Sequence, residues 1–320
     1  MPWTIADIPP QNGKLALVTG ANSGIGWCTA LELARAGCEV ILTARSESKG
    51  QDAVERIRRQ LPQARLRVEI LDLASLASVH VVAAKLSVEP KLDLLINNAG
   101  VMKIPKRQFT EDGFERQFGT NFLGHFALTG LLLPVLLRAP SPRVTTISSI
   151  AAKMGLKRIN FDDLQWERSY NPWKAYCQSK LADLMFAVEL SRRSSTKNIP
   201  LLSNAAHPGI ARTNLQAAGR GRPPNLPERI VSKLISQDAA HGALPTLLAA
   251  TEINAAPGSY YGPDRLFQFK GDAVPIPIPK PAQDEAAAKR LWEIAESLTA
   301  VKIPGYPGSG SRPAMHKNIV

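Results

Sequence analysis

The sequence is poor in the residues that build disulfide frameworks and metal centres. Its three cysteines, Cys28, Cys38 and Cys177, are scattered and form no C-x-x-C pair. This pattern favours reduced thiols in the cytoplasm over a disulfide framework. The five histidines form no ligand-spaced cluster with the cysteines, so we expect no metal site.

Long apolar runs and targeting signals are also lacking. No uninterrupted run reaches the roughly 18 residues that a membrane span needs, and the longest candidate, Leu128–Leu137, is short and contains Pro134. The N-terminus "MPWTIADIPP" has no basic start followed by an apolar segment, so it does not resemble a secretory signal. The sequence therefore predicts no transmembrane segment and a cytoplasmic location.

Acidic residues are outnumbered, with 27 Asp and Glu against 39 Lys and Arg and a net charge of +12. A nucleic-acid-binding protein would concentrate this charge beside exposed aromatic residues, but Lys and Arg are spread along the chain. Solvated helix faces explain the local basic groups, and we expect no nucleic-acid partner. A membrane-surface role would need a strongly amphipathic basic helix, which the sequence does not show.

What the chain does contain is an alternation of strand-like and helix-like segments from Lys14 onward. Short, continuous apolar strands joined by helices predict an α/β fold in which helices cover both faces of a parallel sheet. We expect one doubly wound, mainly parallel domain over residues 14–300, an N-terminal extension over 1–13 and a C-terminal tail over 301–320.

Two segments break this alternation, residues 151–173 and the Gly-, Pro- and Arg-rich residues 212–230. Each begins at the carboxyl end of a predicted strand, where ligands of doubly wound sheets bind. We therefore expect them to form a lid and a substrate pocket.

Glycines punctuate the turn between the first strand and the first helix, in "TGANSGIG". Gly20, Gly24 and Gly26 permit a tight turn that brings backbone N–H groups to a pyrophosphate at the helix N-terminus. Their spacing, G-x-x-x-G-x-G, differs from the common G-x-G-x-x-G, and a plain loop is the alternative. The strand–turn–helix context favours a dinucleotide site.

The second predicted strand ends in "TAR", at Arg45. An Asp or Glu here would accept hydrogen bonds from the ribose hydroxyl of NAD, whereas an arginine pairs with the 2′-phosphate of NADP. The alternative is a surface arginine on a basic protein. We favour NADP(H) over NAD(H).

Tyr176 and Lys180 lie four residues apart in "AYCQSK", so on a helix they share one face. A nearby ammonium favours the phenolate and is expected to lower the tyrosine pKa toward the working range. By itself the Y-x-x-x-K pattern usually marks a solvated surface pair.

The motifs and their order resemble the short-chain dehydrogenases/reductases over roughly Lys14 to Asn214. The motifs are "TGANSGIG", "LDL" around Asp72, "NNAG" from Asn97 to Gly100, "TNFLGHF" around Asn121, "ISSIAA", "AYCQSK" and "HPG". The segment "HPGIARTNL" and the long interval before Tyr176 most resemble the retinol-dehydrogenase-like branch. The resemblance implies a Rossmann-type domain that acts on lipophilic alcohols, aldehydes or ketones.

The resemblance also implies a catalytic tetrad of Asn121, Ser149, Tyr176 and Lys180. The implied cofactor-binding residues are Gly20, Asn22, Ser23, Gly24, Ile25, Gly26, Arg45, Asp72, Leu73, Asn98, Ala99, Gly100, Tyr176, Lys180, Pro208, Gly209 and Thr213. Among these, Asp72 is expected to meet the adenine and Thr213 the nicotinamide carboxamide.

In this scheme Tyr176 exchanges a proton with the substrate oxygen, while the cofactor supplies the hydride. Ser149, rather than its neighbour Ser148, orients the substrate carbonyl. Lys180 holds the nicotinamide ribose, and Asn121 supports a water-linked proton path. His125 and His207 are expected to be structural, since no serine–histidine–acid set accompanies them.

The interval between Ser149 and Tyr176 is longer than in the simplest family members. It adds five apolar or aromatic residues that either wall a substrate cavity or pack the insertion onto the domain: Met154, Leu156, Trp166, Tyr170 and Trp173. Reduction of a carbon–carbon double bond and a non-catalytic NADP(H)-binding scaffold or sensor are the alternative functions. The sequence leaves open whether the chain forms a homo-oligomer.

Overall fold

The structure, a computed structural model, describes residues 2–211 and 236–303. One eight-stranded sheet runs through it in the order β3-β2-β1-β4-β5-β6-β7-β8. The strands are β1 Leu15–Val18, β2 Glu39–Ala44, β3 Leu66–Ile70, β4 Leu94–Asn97, β5 Arg143–Ile147, β6 Leu202–Ala206, β7 Tyr260–Arg265 and β8 Lys270–Ile276.

Helices connect these strands. They are α1 Gly24–Arg35, α2 Glu47–Arg58, α3 Leu76–Ser87, α4 Arg116–Leu136, α5 Ala151–Met154, α6 Pro172–Thr196, α7 Ala239–Thr251 and α8 Glu285–Thr299. Within α4, residues Gly119–Leu123 form a π-helical turn. Such turns widen the helix locally and occur often at functional sites.

Pairing is parallel from β3 to β7, and only β8 runs antiparallel, with Tyr260 opposite Ile276. The predicted doubly wound, mainly parallel sheet is therefore confirmed. Strand β1 pairs with both β2 and β4, so Val18 lies opposite Leu42 on one side and Ile96 on the other. The chain order reverses here, and this reversal opens a crevice at the carboxyl ends of the strands.

The apolar strands are buried because helices cover the sheet on both faces. One core contains residues of α1, α2 and α7, and the other contains residues of α3, α4, α6 and α8. In the second core Trp292 of α8 packs edge-on against Phe126 of α4, with ring centroids 5.2 Å apart, and also against Phe186 of α6. Helix α8 thereby covers the other two helices.

Helix α4 is long and apolar enough to cross a membrane, by length and composition alone. Its most apolar window has a mean hydropathy of 1.3, and 89% of that window is buried inside the domain. Its burial among α3, α6 and α8 accounts for the apolar composition. Uninterrupted apolar runs in the sequence identify just the C-terminal part of this helix, within Leu128–Leu137.

Helix α4 begins at Arg116. Glu115 caps the N-terminus of this helix, because its carboxylate accepts hydrogen bonds from the N–H groups of Gln117 and Phe118. Strand β7 and helix α7 lie beyond Asn214, where the resemblance to the family motifs ends. The C-terminal "VPIPIPKP" is extended in β8 as far as Ile276, and a short 3₁₀ helix, Lys280–Gln283, follows it.

Candidate active site

Tyr176 and Lys180 lie in the first half of α6, near the carboxyl end of β5. Asn171 caps this helix by accepting hydrogen bonds from the N–H groups of Trp173 and Lys174, and Pro172 occupies the first turn. Tyr176 is 5% exposed and Lys180 is 4% exposed. The pair is therefore buried, which argues against an ordinary solvated surface pair.

The Lys180 ammonium is held at two points. Its Nζ donates to the carbonyl oxygen of Ile147 and to Oδ2 of Asp183, each at 2.8 Å. A Cβ on Gly100 would lie 3.7 Å from this Nζ and 3.2 Å from Oδ1 of Asn121. The ammonium thus lies beside the loop that follows β4, at the crevice.

The two serines after β5 have different partners. The Ser149 hydroxyl lies close enough to the Tyr176 phenol to lower its pKa and accepts a hydrogen bond from the N–H of Ala151 at 3.2 Å. The Ser148 hydroxyl donates instead to the carbonyl oxygen of Lys180 at 2.7 Å. Ser149 is therefore the serine that shares a site with Tyr176, while Ser148 ties β5 to α6.

Asn121 lies in the π-helical turn and is fully buried. Its side chain accepts from the N–H of Val101 at 2.8 Å and donates to the carbonyl of Val101 at 3.0 Å and to Oγ of Ser179 at 2.8 Å. These bonds join the loop after β4 to α6. The structure thus shows Asn121 as a brace between two parts of the site, and its role in a proton path stays a prediction.

His125 connects the same turn to β1. Its Nδ1 lies 2.7 Å from the carbonyl oxygen of Asn121, which can only accept, so Nδ1 carries the proton. Its Nε2 lies 2.9 Å from Oγ1 of Thr19, which in turn accepts from the N–H groups of Asn98 and Ala99. Burial lowers the pKa of His125 to about 3, so the ring is neutral and links parts of the structure.

The pKa of Tyr176 departs from the sequence-based expectation. Burial raises it and outweighs the neighbouring Lys180 ammonium and Ser149 hydroxyl, which both lower it. Asp183 and Cys177 raise it further. The expected influence of Lys180 is present, but the expected net lowering is wrong, because desolvation of the phenolate is the larger effect.

The glycine turn packs closely against the loop after β4. Gly20 has φ +63°, and a Cβ on it would lie 2.9 Å from Cβ of Ala99. A Cβ on Gly26 would collide with Nδ2 of Asn98 and lie 2.7 Å from the carbonyl oxygen of Gly20. Side chains at these positions would push the turn away from Asn98, so the close approach requires glycine.

The N-terminus of α1 is suited to an anion. It has no acidic residue in its first turn, and the side chain of its N-cap residue, Ser23, makes no capping hydrogen bond. A helix start with free N–H groups and no competing carboxylate attracts a phosphate. The donors therefore fit the pyrophosphate of a dinucleotide, with Asn22 and Gly24 beside Ser23 in the turn.

The remaining predicted cofactor residues follow neighbouring strands. Asp72 and Leu73 come after β3, and Asp72 Oδ1 accepts from the N–H of Ala74 at 2.9 Å. Arg45 follows β2, is exposed and has no hydrogen bond or ion pair within residues 2–211 and 236–303. Thr213 and the predicted lid over 212–230 lie outside the described residues.

The glycine turn and the "HPG" turn meet near helix α7, through Ile25 of the first turn and Pro208 of the second. Ile25 and Pro208 both approach Gly242 of α7, where an added Cβ would lie 3.5 Å and 3.6 Å from their side chains. Gly209 has φ +63° and faces the carbonyl of Phe269. The "HPG" turn thus lies against both the glycine turn and the β7–β8 hairpin.

Comparison with known proteins agrees with this geometry. A family model described as short chain dehydrogenase matches residues 14–161. Human retinol dehydrogenase 14 is 40% identical over 91% of this chain and 88% of its own length. The chain belongs to the short-chain dehydrogenase/reductase family, in its retinol-dehydrogenase-like branch. It is accordingly an oxidoreductase that acts on a CH–OH/C=O pair.

Further similar proteins match this dehydrogenase/reductase in sequence or in structure. Mouse polyprenol dehydrogenase is 39% identical over 95% of this chain and 88% of its own length. A solved structure of an uncharacterised Mycobacterium paratuberculosis protein has a TM-score of 0.79 and 41% identity, covering 95% of this chain and all of its own. A Shigella flexneri short chain dehydrogenase, solved with NADP, shares the fold at a TM-score of 0.62 and 24% identity.

The insertion before Tyr176 contributes to this dehydrogenase/reductase site in two ways. Leu156 and Trp173 pack against a small cluster that contains Tyr176, and the Trp173 and Tyr176 ring centroids are 5.8 Å apart. Trp166 is buried, and the Tyr170 hydroxyl donates to the carbonyl of Ile104 at 2.8 Å, so these two pack the insertion onto the domain. Met154 is 58% exposed.

Sequence reasoning missed three residues of the site. Met102 packs against the same cluster as Trp173, Ser179 bonds the Asn121 amide, and Asp183 pairs with Lys180. Asp183 follows Lys180 by three positions, so helical spacing could have identified it. Met102 and Ser179 had no comparable pattern, because their partners come from distant parts of the chain.

Proposed function

We propose that this dehydrogenase/reductase uses NADP(H) to interconvert a carbonyl and an alcohol on a lipophilic small molecule. The observation that carries the proposal is the place of Tyr176. Its buried phenol lies near the Ser149 hydroxyl and the Lys180 ammonium, which both lower its pKa, and is flanked by apolar side chains. A proton donor with these neighbours suits an oxygen that develops charge inside an apolar cleft.

Each residue then has a distinct task. The bound nicotinamide supplies or accepts the hydride. In reduction the Tyr176 O–H donates its proton to the substrate oxygen, and in oxidation the phenolate takes a proton from the alcohol. Ser149 donates a hydrogen bond to the same oxygen, and the Lys180 ammonium stabilises the phenolate. Because burial raises its pKa, Tyr176 stays protonated until it transfers its proton to the substrate oxygen.

The cofactor preference rests on Arg45. This arginine stands at the carboxyl end of β2, where the adenosine ribose of a dinucleotide binds, and its guanidinium has no partner among the described residues. A free guanidinium in this place can form two parallel N–H···O hydrogen bonds with a 2′-phosphate. NADP carries this phosphate and NAD does not.

The substrate class rests on the residues around Tyr176. Met102, Leu156 and Trp173 are partly buried against it and present apolar surface. The similar proteins named retinol dehydrogenase and polyprenol dehydrogenase carry names of lipophilic alcohols. An apolar wall gains free energy from each methylene it removes from water.

We expect activity to rise with the length of an aliphatic aldehyde. Each buried CH₂ contributes about 0.8 kcal/mol, so kcat/KM should increase about fourfold per carbon until the cleft is filled. The measurement is NADPH oxidation with straight-chain aldehydes from about four to about ten carbons. Leu156→Ala should flatten the series, while Met154→Ala, which changes an exposed side chain, should not. A series that is flat in the parent enzyme contradicts a lipophilic substrate.

A further inference from the structure

The Lys180 ammonium has a buried countercharge on its own helix. Asp183 follows three residues later, and its side chain is 1% exposed against 5% for that of Lys180. Its Oδ2 accepts from Nζ at 2.8 Å, while its Oδ1 is buried with no hydrogen-bond partner among the described residues. Among the described residues, the Asp183 carboxylate therefore forms its side-chain hydrogen bond with Lys180.

This pairing sets how many N–H groups of the Lys180 ammonium are available to a bound ligand. An ammonium has three N–H groups, and Asp183 and the carbonyl of Ile147 take two of them from fixed positions. One N–H is left for the crevice. Without a countercharge, the nearly dry ammonium would carry a large desolvation cost.

Several titratable groups around the pair are uncharged at neutral pH. On α6, burial raises the pKa of both Tyr176 and Cys177. On α4, burial lowers the pKa of His125 to about 3, so it is neutral. On β7, burial raises the pKa of Tyr260. On the loop after β4, the Lys103 ammonium lies over the Trp173 ring, 4.8 Å from its centroid, and its charge acts on Cys177. Lys180 and Asp183 are the charged side chains that act on the Tyr176 phenol.

We infer that Asp183 is a positioning residue that fixes the Lys180 ammonium and limits the positive charge that reaches Tyr176. This inference rests on the proposed proton transfer by Tyr176. Asp183 opposes Lys180 electrostatically at the phenol, and burial raises the pKa of Asp183 to about 6, against the lowering effect of Lys180. At neutral pH Asp183 is therefore charged and offsets part of the influence of Lys180.

The test is Asp183→Asn, which keeps an oxygen to accept from Lys180 but removes the negative charge. Tyr176 should then lose its proton more readily. The midpoint at which kcat/KM for alcohol oxidation rises with pH should move about one pH unit lower, and the alkaline fall of carbonyl reduction should move with it. A midpoint that stays in place or moves higher overturns the inference.

Glu189→Gln is the matched control. Glu189 is also a buried, ion-paired carboxylate on α6, but its partners are Arg192 and Arg193. We expect this variant to lower the Tm, as Asp183→Asn does, without moving the pH midpoint. An equal shift in both variants would assign the effect to general destabilisation and contradict a specific role for Asp183.

A second variant keeps the inference testable if Asp183→Asn does not fold. Asp183→Glu keeps the charge and displaces it by one methylene, so it should retain the parental midpoint and lower kcat by about tenfold. An unchanged kcat would show that the position of the carboxylate does not matter. Parent enzyme that turns over no carbonyl or alcohol would refute the proposed function itself, which is a separate outcome.

Discussion

Replacing Tyr176 with Phe is expected to lower kcat/KM for carbonyl reduction by about 10²–10⁴-fold, the usual contribution of general acid–base catalysis. The ring keeps its contacts with Trp173 and the surrounding cluster, while the proton that the substrate oxygen needs is gone. Steady-state NADPH oxidation gives the rate, and quenching of the fluorescence of the five tryptophans gives the cofactor affinity, which should stay close to the parental value.

Tyr260→Phe provides the control for this change. Tyr260 is also a buried tyrosine, and its hydroxyl lies 3.5 Å from the carbonyl oxygen of Ser149. The Tyr260→Phe substitution removes a tyrosine hydroxyl close to the site but keeps the proposed proton donor. We therefore expect kcat/KM for carbonyl reduction to fall by less than about tenfold. If Tyr176→Phe reduces carbonyls at the parental rate, Tyr176 is not the general acid.

Arg45→Asp is expected to weaken NADPH binding by about 10- to 100-fold, because a charge-assisted contact contributes about 1.5–3 kcal/mol. The new carboxylate repels the 2′-phosphate and can accept hydrogen bonds from the free ribose hydroxyl of NADH. The preference should therefore shrink or reverse. Fluorescence titration of both proteins with NADPH and with NADH measures it.

Arg59→Asp makes the same charge reversal at the exposed C-terminal end of α2, away from the carboxyl ends of the strands. It should leave the ratio of the two affinities unchanged, which separates a specific phosphate contact from the general effect of net charge. Equal affinities for NADPH and NADH in the parent protein would remove the basis of the Arg45 assignment.

The parts of the site that sequence reasoning captured are those encoded by local spacing. The glycine turn lies between a strand and a helix, and Tyr176 and Lys180 lie one helical turn apart, so their proximity follows from helix geometry. The parallel pairing of the strands follows from the repeated β-α-β pattern. These features needed only short-range information and the rules of parallel sheets.

What sequence reasoning missed depends on tertiary packing. The sign of the Tyr176 pKa shift is set by burial beneath residues from the loop after β4 and the insertion, and no motif measures burial. Asn121 was identified as a catalytic residue, but its bonds to Val101 and Ser179 appear only once α4 and α6 meet. The β7–β8 hairpin lies beyond the last family motif, so no motif pointed to it.

The most direct measurement is the fate of deuterium from NADPH that carries it at the transferable position of the nicotinamide. The substrate is an α,β-unsaturated aldehyde, which offers a carbonyl and a carbon–carbon double bond in one molecule. We predict that mass spectrometry and NMR of the product find one deuterium on the carbinol carbon and an intact double bond. Deuterium on the β-carbon, or none in any product while NADPH binds tightly, would contradict carbonyl reduction at Tyr176.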